Sequence, residues 1–510
     1  MFFKKVTSEA LAKQALAVML NPASKLRRKN MQKRLDYFND IQLNYLDTLL
    51  ANQFAKYQSM KLQKEFFNLT KLVIDELSVI YNEEPDRDTG ENEADNELYA
   101  EIIESSQLNL VMDTVLRLTK LCKTVLIKPV WRNDKIEYDI ITPNIFDVIQ
   151  DPVDPTKAKA VIYATQRDLN NETLTGNNST KNQDKMDVDN TIYYYWDADK
   201  HFTFTYSFNE KKDIIVEITN NPDNPENINP YGVLPFVIVR DGYPVDSFFI
   251  ESGDDLINVN EVLNIKLTEK NYLTKMQSFS VPVRKGADSK TALILDPSMT
   301  VDLPADDDIS TGSDFRFVTP DAKVADLEAD IEARLRRIAI KYHLNPDMFT
   351  ASGNRSSADS LQMQNYRMGL IIKRDKPIFR LVERELFNLT RIIFNYHSDI
   401  GKLSEDAELF IDYAELEIPL TVSEQDQHLL LLNNNGLLSK KDWVKIVNKD
   451  IQDDAAAEAY LAEIEEEKKA AMKSMQETMR QGLAQQEQIP VEGEEDGNAS
   501  PDNESTDNAE

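Results

Sequence analysis

The chain has 510 residues, of which 41% are hydrophobic and 29% are charged, and its formal net charge is -30. This length and composition predict a folded core with more than one subdomain. The acidic balance argues against a protein that grips nucleic acid by neutralising its phosphates. No window approaches 18 uninterrupted apolar residues, so no membrane-spanning helix is predicted.

The cysteine and histidine content gives no sign of a metal or cofactor site. The single cysteine, Cys122, lies in an apolar run without a Cys-x-x-Cys partner, which favours a buried core thiol and a reducing compartment. The four histidines are scattered, and no metal-ligand spacing appears among them. We therefore predict no metal and no cofactor.

The first 34 residues form a basic segment with nine Lys or Arg residues and one acid, Glu9. Glu9 and Lys13 interrupt its apolar part, so an amphipathic helix fits better than a signal peptide. Two interpretations remain: a solvated helical arm, which we favour, or a contact to nucleic acid, a membrane or an acidic partner.

The N-terminal half predicts an α+β body. Apolar spacing predicts helix over residues 8–82, a loop over 82–97 and helix near 97–122. Alternating apolar residues then predict strands that flank a turn at Asn133-Asp134. Further strands are predicted in the segments "KAVIYATQ", "TIYYYWDADKHFTFTYS" and "DIIVEIT". Together they indicate an antiparallel sheet with helices packed against it.

From Asp254 onward the pattern changes to long helices. A first helix over 254–277 and a second over 321–344 flank a segment, 279–320, that is punctuated by proline and glycine. The apolar stripe of the first consists of Leu256, Val259, Leu263 and Leu267, and that of the second of Val324, Leu327, Ile331, Leu335 and Ile338. The rest of the second helix carries charges of both signs.

A polar loop and the longest helical pattern follow. The loop lies within "HLNPDMFTASGNRSSADSLQMQ", residues 343–364. Ser356 and Asp359 fit a capping box at the start of a helix that continues to about Ser398. Pro377 predicts a kink within it. At ~1.5 Å per residue this helix is on the order of 60 Å long.

The C-terminal part predicts a strand pair in "ELFIDYAELEIPLTV" and then two or three helices around a break at Gly436. From residue 481 onward there is no Lys or Arg, and acids are mixed with Asn, Gln, Ser and Gly, so this tail is predicted to be disordered.

The order of these elements resembles that of the portal proteins of tailed bacteriophages (the SPP1/HK97-like portal family). Local sequence is similar in "NPYGVLPFVIVRDG", in the loop segment quoted above, and in "GLLSKKDWVKIVNKDIQDDAAAEAYLAEIEEEK". The resemblance implies a mainly helical α+β portal fold with an α/β wing, two stem helices flanking a small β-containing clip, a long kinked wing helix and a helical crown. The implied boundaries are 1–253 for the arm and wing, 254–277 and 321–344 for the stem helices, 278–320 for the clip, 345–356 for a tunnel loop, 357–422 for the kinked helix and wing strands, 423–480 for the crown and 481–510 for the tail.

The resemblance also implies a function. Portal proteins form a ring, commonly of twelve copies, at one capsid vertex of the virion, after synthesis in the bacterial cytoplasm. Double-stranded DNA passes through the ring during packaging and ejection, without sequence specificity. The partners implied are the terminase large subunit, which holds the ATPase, then a head-tail adaptor, and the major capsid and scaffold proteins. Neither enzymatic activity nor a membrane is implied.

Several residues take candidate roles from the resemblance. The tunnel loop would place Thr350, Ser352, Asn354 and Arg355 beside DNA. The stem face would contribute Lys323, Arg334 and Arg337, for which an inter-subunit salt bridge is an equally good expectation. The basic clip residues Arg284, Lys285 and Lys290 would contact a terminase or an adaptor, with an ordinary solvated loop as the alternative.

Two other functions compete with this one. A hydrolase could use the Ser-rich loop 353–360 with His343 as base, but no Gly-x-Ser-x-Gly elbow is present, and helix capping accounts for the serines. A non-viral helical scaffold or adaptor would need sustained heptads, which the strands and Pro377 argue against. No phosphate-binding Gly-x-x-x-x-Gly-Lys-Ser/Thr loop is found, so the chain is not predicted to be an ATPase.

Overall fold

The computed structural model describes residues 7–54, 62–165, 191–208, 214–222, 224–278, 281–285, 314–318, 323–346, 358–399, 401–414, 427, 430–432, 435, 439–448 and 453–486. The chain divides into two compact units, Met1–Leu416 and Glu417–Glu510. Helices and antiparallel sheets coexist in the first, so the fold class is mixed α+β, as predicted. Within the described residues, no helix is long and apolar enough to cross a bilayer.

The N-terminal helical run is interrupted, contrary to the continuous helix predicted for 8–82. Its helices are α1 (Ser8–Leu20), α2 (Pro22–Phe38), α3 (Leu43–Gln53) and α4 (Leu69–Leu77). Asn21 separates the first two because the residue before a proline disfavours helical geometry, and its side chain caps α2 by accepting from Ala23 N at 2.9 Å. A segment without regular secondary structure, 62–68, precedes α4.

The predicted loop over 82–97 contains regular structure. It includes β1 (Asp86–Asp88) and the start of α5 (Glu93–Ser106), which α6 (Leu108–Cys122) follows. Two of the acids that suggested a loop, Glu93 and Asp95, lie in the first turn of α5, where they interact favourably with the helix dipole. The single helix predicted near 97–122 is therefore divided, because Gln107 takes a left-handed conformation with φ 54°.

Two antiparallel sheets follow. Their strands are β2 (Thr124–Arg132), β3 (Lys135–Ile141), β4 (Phe146–Gln150), β5 (Ala158–Ala164), β6 (Tyr193–Trp196), β7 (His201–Phe208), β8 (Ile214–Ile218) and β9 (Val237–Arg240). One sheet has the order β3-β2-β9 and the other β4-β5-β6-β7-β8. The turn predicted between β2 and β3 is confirmed, because Asn133 and Asp134 both have positive φ.

The next four elements form two pairs. They are α7 (Asp254–Ser278), β10 (Val281–Lys285), β11 (Asp314–Val318) and α8 (Val324–Lys341). The strands β10 and β11 pair antiparallel. Both predicted helices and strand structure between them are thus confirmed.

The longest element is α9 (Ala358–His397), 40 residues that include Pro377. Helical assignment continues through the proline, and the predicted kink remains a prediction. After α9 comes β12 (Phe410–Asp412), whose partner is β1. The first half of the predicted strand pair is therefore confirmed, and the second lies outside the described residues. The inward face of α9 packs against β2 and β9 in the largest hydrophobic cluster, with Phe379, Leu386 and Phe387 buried.

The second unit contains α10 (Lys440–Val447) and α11 (Asp454–Gln486). The two helices contact each other, and ion pairs join Lys441 to Glu458 and Lys445 to Asp454. Since α11 continues to Gln486, the disorder predicted from 481 is wrong for 481–486. Gly436 and residues 487–510 lie outside the described residues.

Candidate functional site

The paired helices α7 and α8 form the part of the predicted site that the structure describes. Leu256 and Leu263 of α7 lie in one hydrophobic cluster with Ile331 and Ile338 of α8, all less than 9% exposed. The predicted apolar stripes are therefore the faces by which the helices meet, as expected from their three- and four-residue spacing.

Ion pairs along the edges of this seam show that the two helices run antiparallel. Lys270 Nζ lies 2.5 Å from Glu328, and Lys341 Nζ lies 2.5 Å from Asp255 at the other end. Early residues of one helix thus meet late residues of the other. Tyr342 also donates to Asp255, at 3.4 Å.

Arg334, one of the predicted site residues, forms an ion pair within its own helix. The carboxylate of Asp330 accepts from Arg334 Nε one helical turn away, at 3.1 Å, and from Lys266 Nζ across the seam, at 2.9 Å. These hydrogen bonds hold the pKa of Asp330 below its usual range. The ion pair between Asp330 and Lys266 therefore links α8 to α7.

The other two predicted stem residues have exposed side chains. Lys323 occupies the N-cap position of α8, and Arg337 lies on the helix face turned away from the seam. In the described part of the chain, neither forms an ion pair or a side-chain hydrogen bond. Arg336 and Ile340 are exposed beside Arg337, and Ile340 is 58% exposed. This leaves a cationic and apolar face that could meet a polyanion or another subunit.

A buried polar stripe fixes α7 to the body of the unit. Asn260, Asn264 and Thr268 are at most 1% exposed and follow one another every four residues. Asn260 Oδ1 accepts from Thr70 N at 3.0 Å, and Asn264 Oδ1 accepts from Phe67 N at 2.9 Å. The stripe thereby satisfies backbone N–H groups of the segment before α4 and of the first turn of α4. The sequence did not predict this role, although polar residues at helical spacing were a visible signal.

The basic arm is only partly solvated. In its described part Lys13, Lys25 and Lys29 are exposed, as the favoured interpretation expects, whereas four cations of α2 are paired with acids elsewhere in the chain. Arg34 is buried and donates to Asp254 at the start of α7, at 2.6 Å. Arg27 and Arg28 both pair with Asp147 of β4 at 2.7 Å. Lys33 pairs with Glu261 at 2.6 Å. These four cations join α2 to β4 and to α7.

A second ionic cluster joins α6, β9 and α9. Lys120, 3% exposed, donates to Asp241 and to Asp375, each at 2.8 Å, and Lys123 also donates to Asp241 at 2.7 Å. Burial raises the pKa of Asp375. Burial also acts to raise the pKa of Asp241, but Lys123 and Lys120 outweigh it and lower that pKa. The cluster fixes α9 two residues before Pro377.

The structure also describes Cys122, the predicted core thiol, and His343, the base of the alternative hydrolase hypothesis. Cys122 is buried, as predicted, and burial raises the pKa of its thiol to about 12. His343 has φ 60° and is exposed at the end of α8, where Leu344 N donates to Ala339 O at 2.8 Å. This is the geometry of a helix C-terminus closed by a left-handed residue. Its position is explained by helix termination without catalysis.

The remaining candidate residues cannot be placed in the same detail. The tunnel-loop residues Thr350, Ser352, Asn354 and Arg355, the cap Ser356 and the clip residue Lys290 lie outside the described residues. Arg284 and Lys285 are described only as members of β10, and Asp359 only as a member of α9. Their proposed roles stay predictions. Across the described ranges, no group of three or more His, Cys, Asp or Glu side chains is placed to hold a metal ion.

Comparison with known proteins gives a weak structural likeness. No family model and no curated protein matches the chain. A chain from the virion of a native gene transfer agent particle aligns over 74% of this chain and 89% of its own, with a TM-score of 0.40 and 9% identity. A chain from the neck of an empty gene transfer agent particle aligns over 77% and 92%, with the same TM-score and identity. Likeness at this level carries no conclusion about function.

Proposed function

We propose that this chain is the subunit of a portal ring at one vertex of a bacteriophage capsid, through which double-stranded DNA is packaged and ejected. The observation that carries the proposal is the succession of α7, a short antiparallel strand pair, α8 and the 40-residue α9. This succession supports the order of stem helix, clip, stem helix and wing helix that the resemblance to portal proteins implies.

The fixation of the helix pair fits a static conduit better than a moving catalytic element. Asn260 and Asn264 are fully hydrogen-bonded in the interior, and Arg34 holds the first residue of α7. Buried networks of this kind rigidify the elements that they join. In this proposal the chain has no enzymatic activity, and a separate terminase supplies the ATP hydrolysis.

The electrostatics support passage of DNA without retention. The chain has a net charge of -30, and the cations Lys266, Lys270 and Arg334 are paired with carboxylates along the edges of the seam. The cations that stay exposed belong to a chain with a large net negative charge, so tight binding is not expected. Lys323 and Arg337 are the candidates for transient phosphate contacts, and the clip and tunnel loop are proposed for terminase, adaptor and DNA.

The test is the assembly state of the purified full-length chain. Mass photometry and negative-stain microscopy are expected to show a closed ring of many copies, with cyclic symmetry. A chain that stays a monomer or dimer across salt and concentration would contradict the proposal. Arg355→Ala is then expected to leave the ring intact and to impair DNA packaging or retention in an infected cell.

A further inference from the structure

The outward face of α9 carries large apolar side chains that the rest of the described chain leaves uncovered. Tyr366 is 62% exposed, Leu370 49% and Leu381 60%, and Pro377 between them is exposed as well. Spacings of four, seven and four residues place all of them on one stripe of the helix. Exposed apolar stripes of this size mark contact surfaces between proteins.

The same stripe is positively charged, in a chain that is otherwise strongly acidic. Lys373 and Arg384 are exposed on it. Arg384 donates from Nε to the carbonyl of Leu409 at 3.1 Å, and Lys373 makes no polar contact with any residue that the structure describes. We call Tyr366, Leu370, Lys373, Pro377, Leu381 and Arg384 the basic–apolar face.

A complementary surface lies on α5. Glu93, Glu97, Glu101 and Glu104 are all exposed and follow one another at intervals of four, four and three residues, so they share one stripe. None of them has an ion-pair partner within the described ranges. Leu110, 61% exposed, lies just beyond them at the start of α6. We call the four glutamates the acidic face.

The two faces match in length. Lys373 and Arg384 are separated by eleven positions, and so are Glu93 and Glu104. At ~1.5 Å per residue, both pairs span about 16 Å along their helices. The charges at the two ends of one face can therefore meet the charges at both ends of the other.

These faces cannot meet within one chain. The inner sides of α5 and α9 share one core, in which the Tyr99 and Phe387 rings lie 4.8 Å apart in an edge-to-face contact. Glu97 and Glu101 are two residues either side of Tyr99, on the opposite side of α5. The basic–apolar face of α9 likewise points away from buried Phe379 and Leu386. Contact between the two faces therefore requires two copies.

We propose that the basic–apolar face of one copy binds the acidic face of the next copy. Such a head-to-tail contact joins two different surfaces and repeats in one direction, so it closes into a ring at a fixed rotation. The inference rests on the ring proposed above and names the surfaces that build it. Apolar burial from α9 would supply most of the affinity, and the matched charges would set orientation.

Two charge-reversal variants test the contact in the full-length chain. One carries Lys373→Glu and Arg384→Glu, and the other carries Glu93→Lys and Glu104→Lys, the pair with the same spacing. Each alone is expected to shift the mass distribution from rings to single subunits, because like charges face each other. An equimolar mixture is expected to recover rings, since each altered face then meets its altered complement on the other variant.

Further variants separate a lost contact from a lost fold. Lys373→Glu alone touches no described partner, and Leu370→Ser with Leu381→Ser removes only exposed apolar groups; both are expected to reduce assembly without changing the unfolding midpoint. Lys25→Glu with Lys29→Glu, exposed lysines of α2, is the matched control and should assemble normally. Two results would overturn this contact alone. In one, the wild type forms rings and the charge-reversal variants form them equally well; in the other, the equimolar mixture is folded but stays monomeric. A wild type that never assembles would overturn the ring as well.

Discussion

Lys128 is buried under aromatic rings, and no carboxylate of the described residues forms an ion pair with it. Only 7% of it is exposed; its Nζ lies 4.2 Å from the Trp196 ring centre and 3.4 Å from the Tyr163 hydroxyl. Burial lowers its pKa to about 8. His201 stacks on the same Trp196 ring at 3.5 Å, and burial lowers its pKa to about 4, with Lys128 contributing.

Replacing Lys128 by methionine is expected to stabilise the protein at pH 7. The pKa of Lys128 is lower in the folded state than in the unfolded state. The charged lysine therefore destabilises the fold fully below about pH 8, and this destabilisation disappears as the pH rises toward the ordinary lysine value near 10.5. A shift of this size corresponds to about 3 kcal/mol, from which the lost contact with the rings subtracts about 1 kcal/mol. Urea unfolding at pH 7 and pH 10 measures the effect.

The expected result is a gain of about 2 kcal/mol at pH 7 that largely disappears at pH 10. Lys159→Met, which replaces an exposed lysine on the neighbouring strand β5, is the matched control and should change stability little at either pH. A Lys128→Met variant that is less stable than the wild type at pH 7 would show that the aromatic contact outweighs the cost of burial.

Arg87 and Glu383 show why a segment that looked like a loop contains a strand. Arg87 donates from Nε and Nη2 to the two carboxylate oxygens of Glu383, at 2.6 and 3.1 Å, and both side chains are at most 3% exposed. Tyr81 donates to the same carboxylate at 2.6 Å. This pair holds β1 against α9, across almost 300 residues of sequence, where no local pattern could have predicted it.

Removing one partner of this pair is expected to cost more than removing both. Arg87→Met leaves a buried carboxylate with only its tyrosine donors, and the expected loss is about 3–5 kcal/mol in free energy of unfolding. Arg87→Met combined with Glu383→Leu removes the uncompensated charge and is expected to lose less. A double-mutant cycle by urea denaturation checks this; strictly additive losses would mean that the two side chains do not act as a pair.

At the scale of elements, the polar stripe of α7 makes a clear prediction. Asn260→Ala leaves Thr70 N and its hydroxyl, together with the Phe67 carbonyl, without their buried partner. Each of these three unsatisfied groups costs about 1–3 kcal/mol, so a total loss of at least about 3 kcal/mol is expected. Asn258→Ala, at an exposed position of the same helix, is the control and should cost under about 1 kcal/mol. Equal losses for both variants in thermal unfolding would contradict a structural role for the stripe.

Elements with a strong local pattern were predictable, and those set by distant contacts were not. The seam of α7 and α8 follows from their apolar spacing, and the turn at Asn133-Asp134 from the positive φ that these residues tolerate. The end of α5 at Gln107 was not predicted, because no glycine or proline lies at that position. The basic arm looked free because its partners, Asp147 and Asp254, are remote in sequence. Charge composition does not reveal which cations are paired.

At the scale of the whole molecule, the distribution of charge predicts weak DNA binding. A protein releases counterions in proportion to the phosphates that it neutralises, and the affinity then falls steeply with salt. Here the net charge is -30, and Arg34, Lys120 and Arg334 are consumed by ion pairs inside the first unit. The exposed cations, Lys323 and Arg337 among them, are outnumbered by acids in the chain as a whole.

We therefore expect the assembled protein to show no measurable affinity for a free duplex in solution. Fluorescence anisotropy of a labelled duplex, titrated with protein at 50 and 200 mM salt, is the measurement, and Arg337→Ala should give the same result as the wild type. Tight binding with a steep salt dependence would mean that phosphate contacts on a cationic surface outweigh the repulsion from the net negative charge. The proposed conduit would have to confine a polyanion without holding it, and net repulsion between DNA and a strongly acidic protein would serve this purpose.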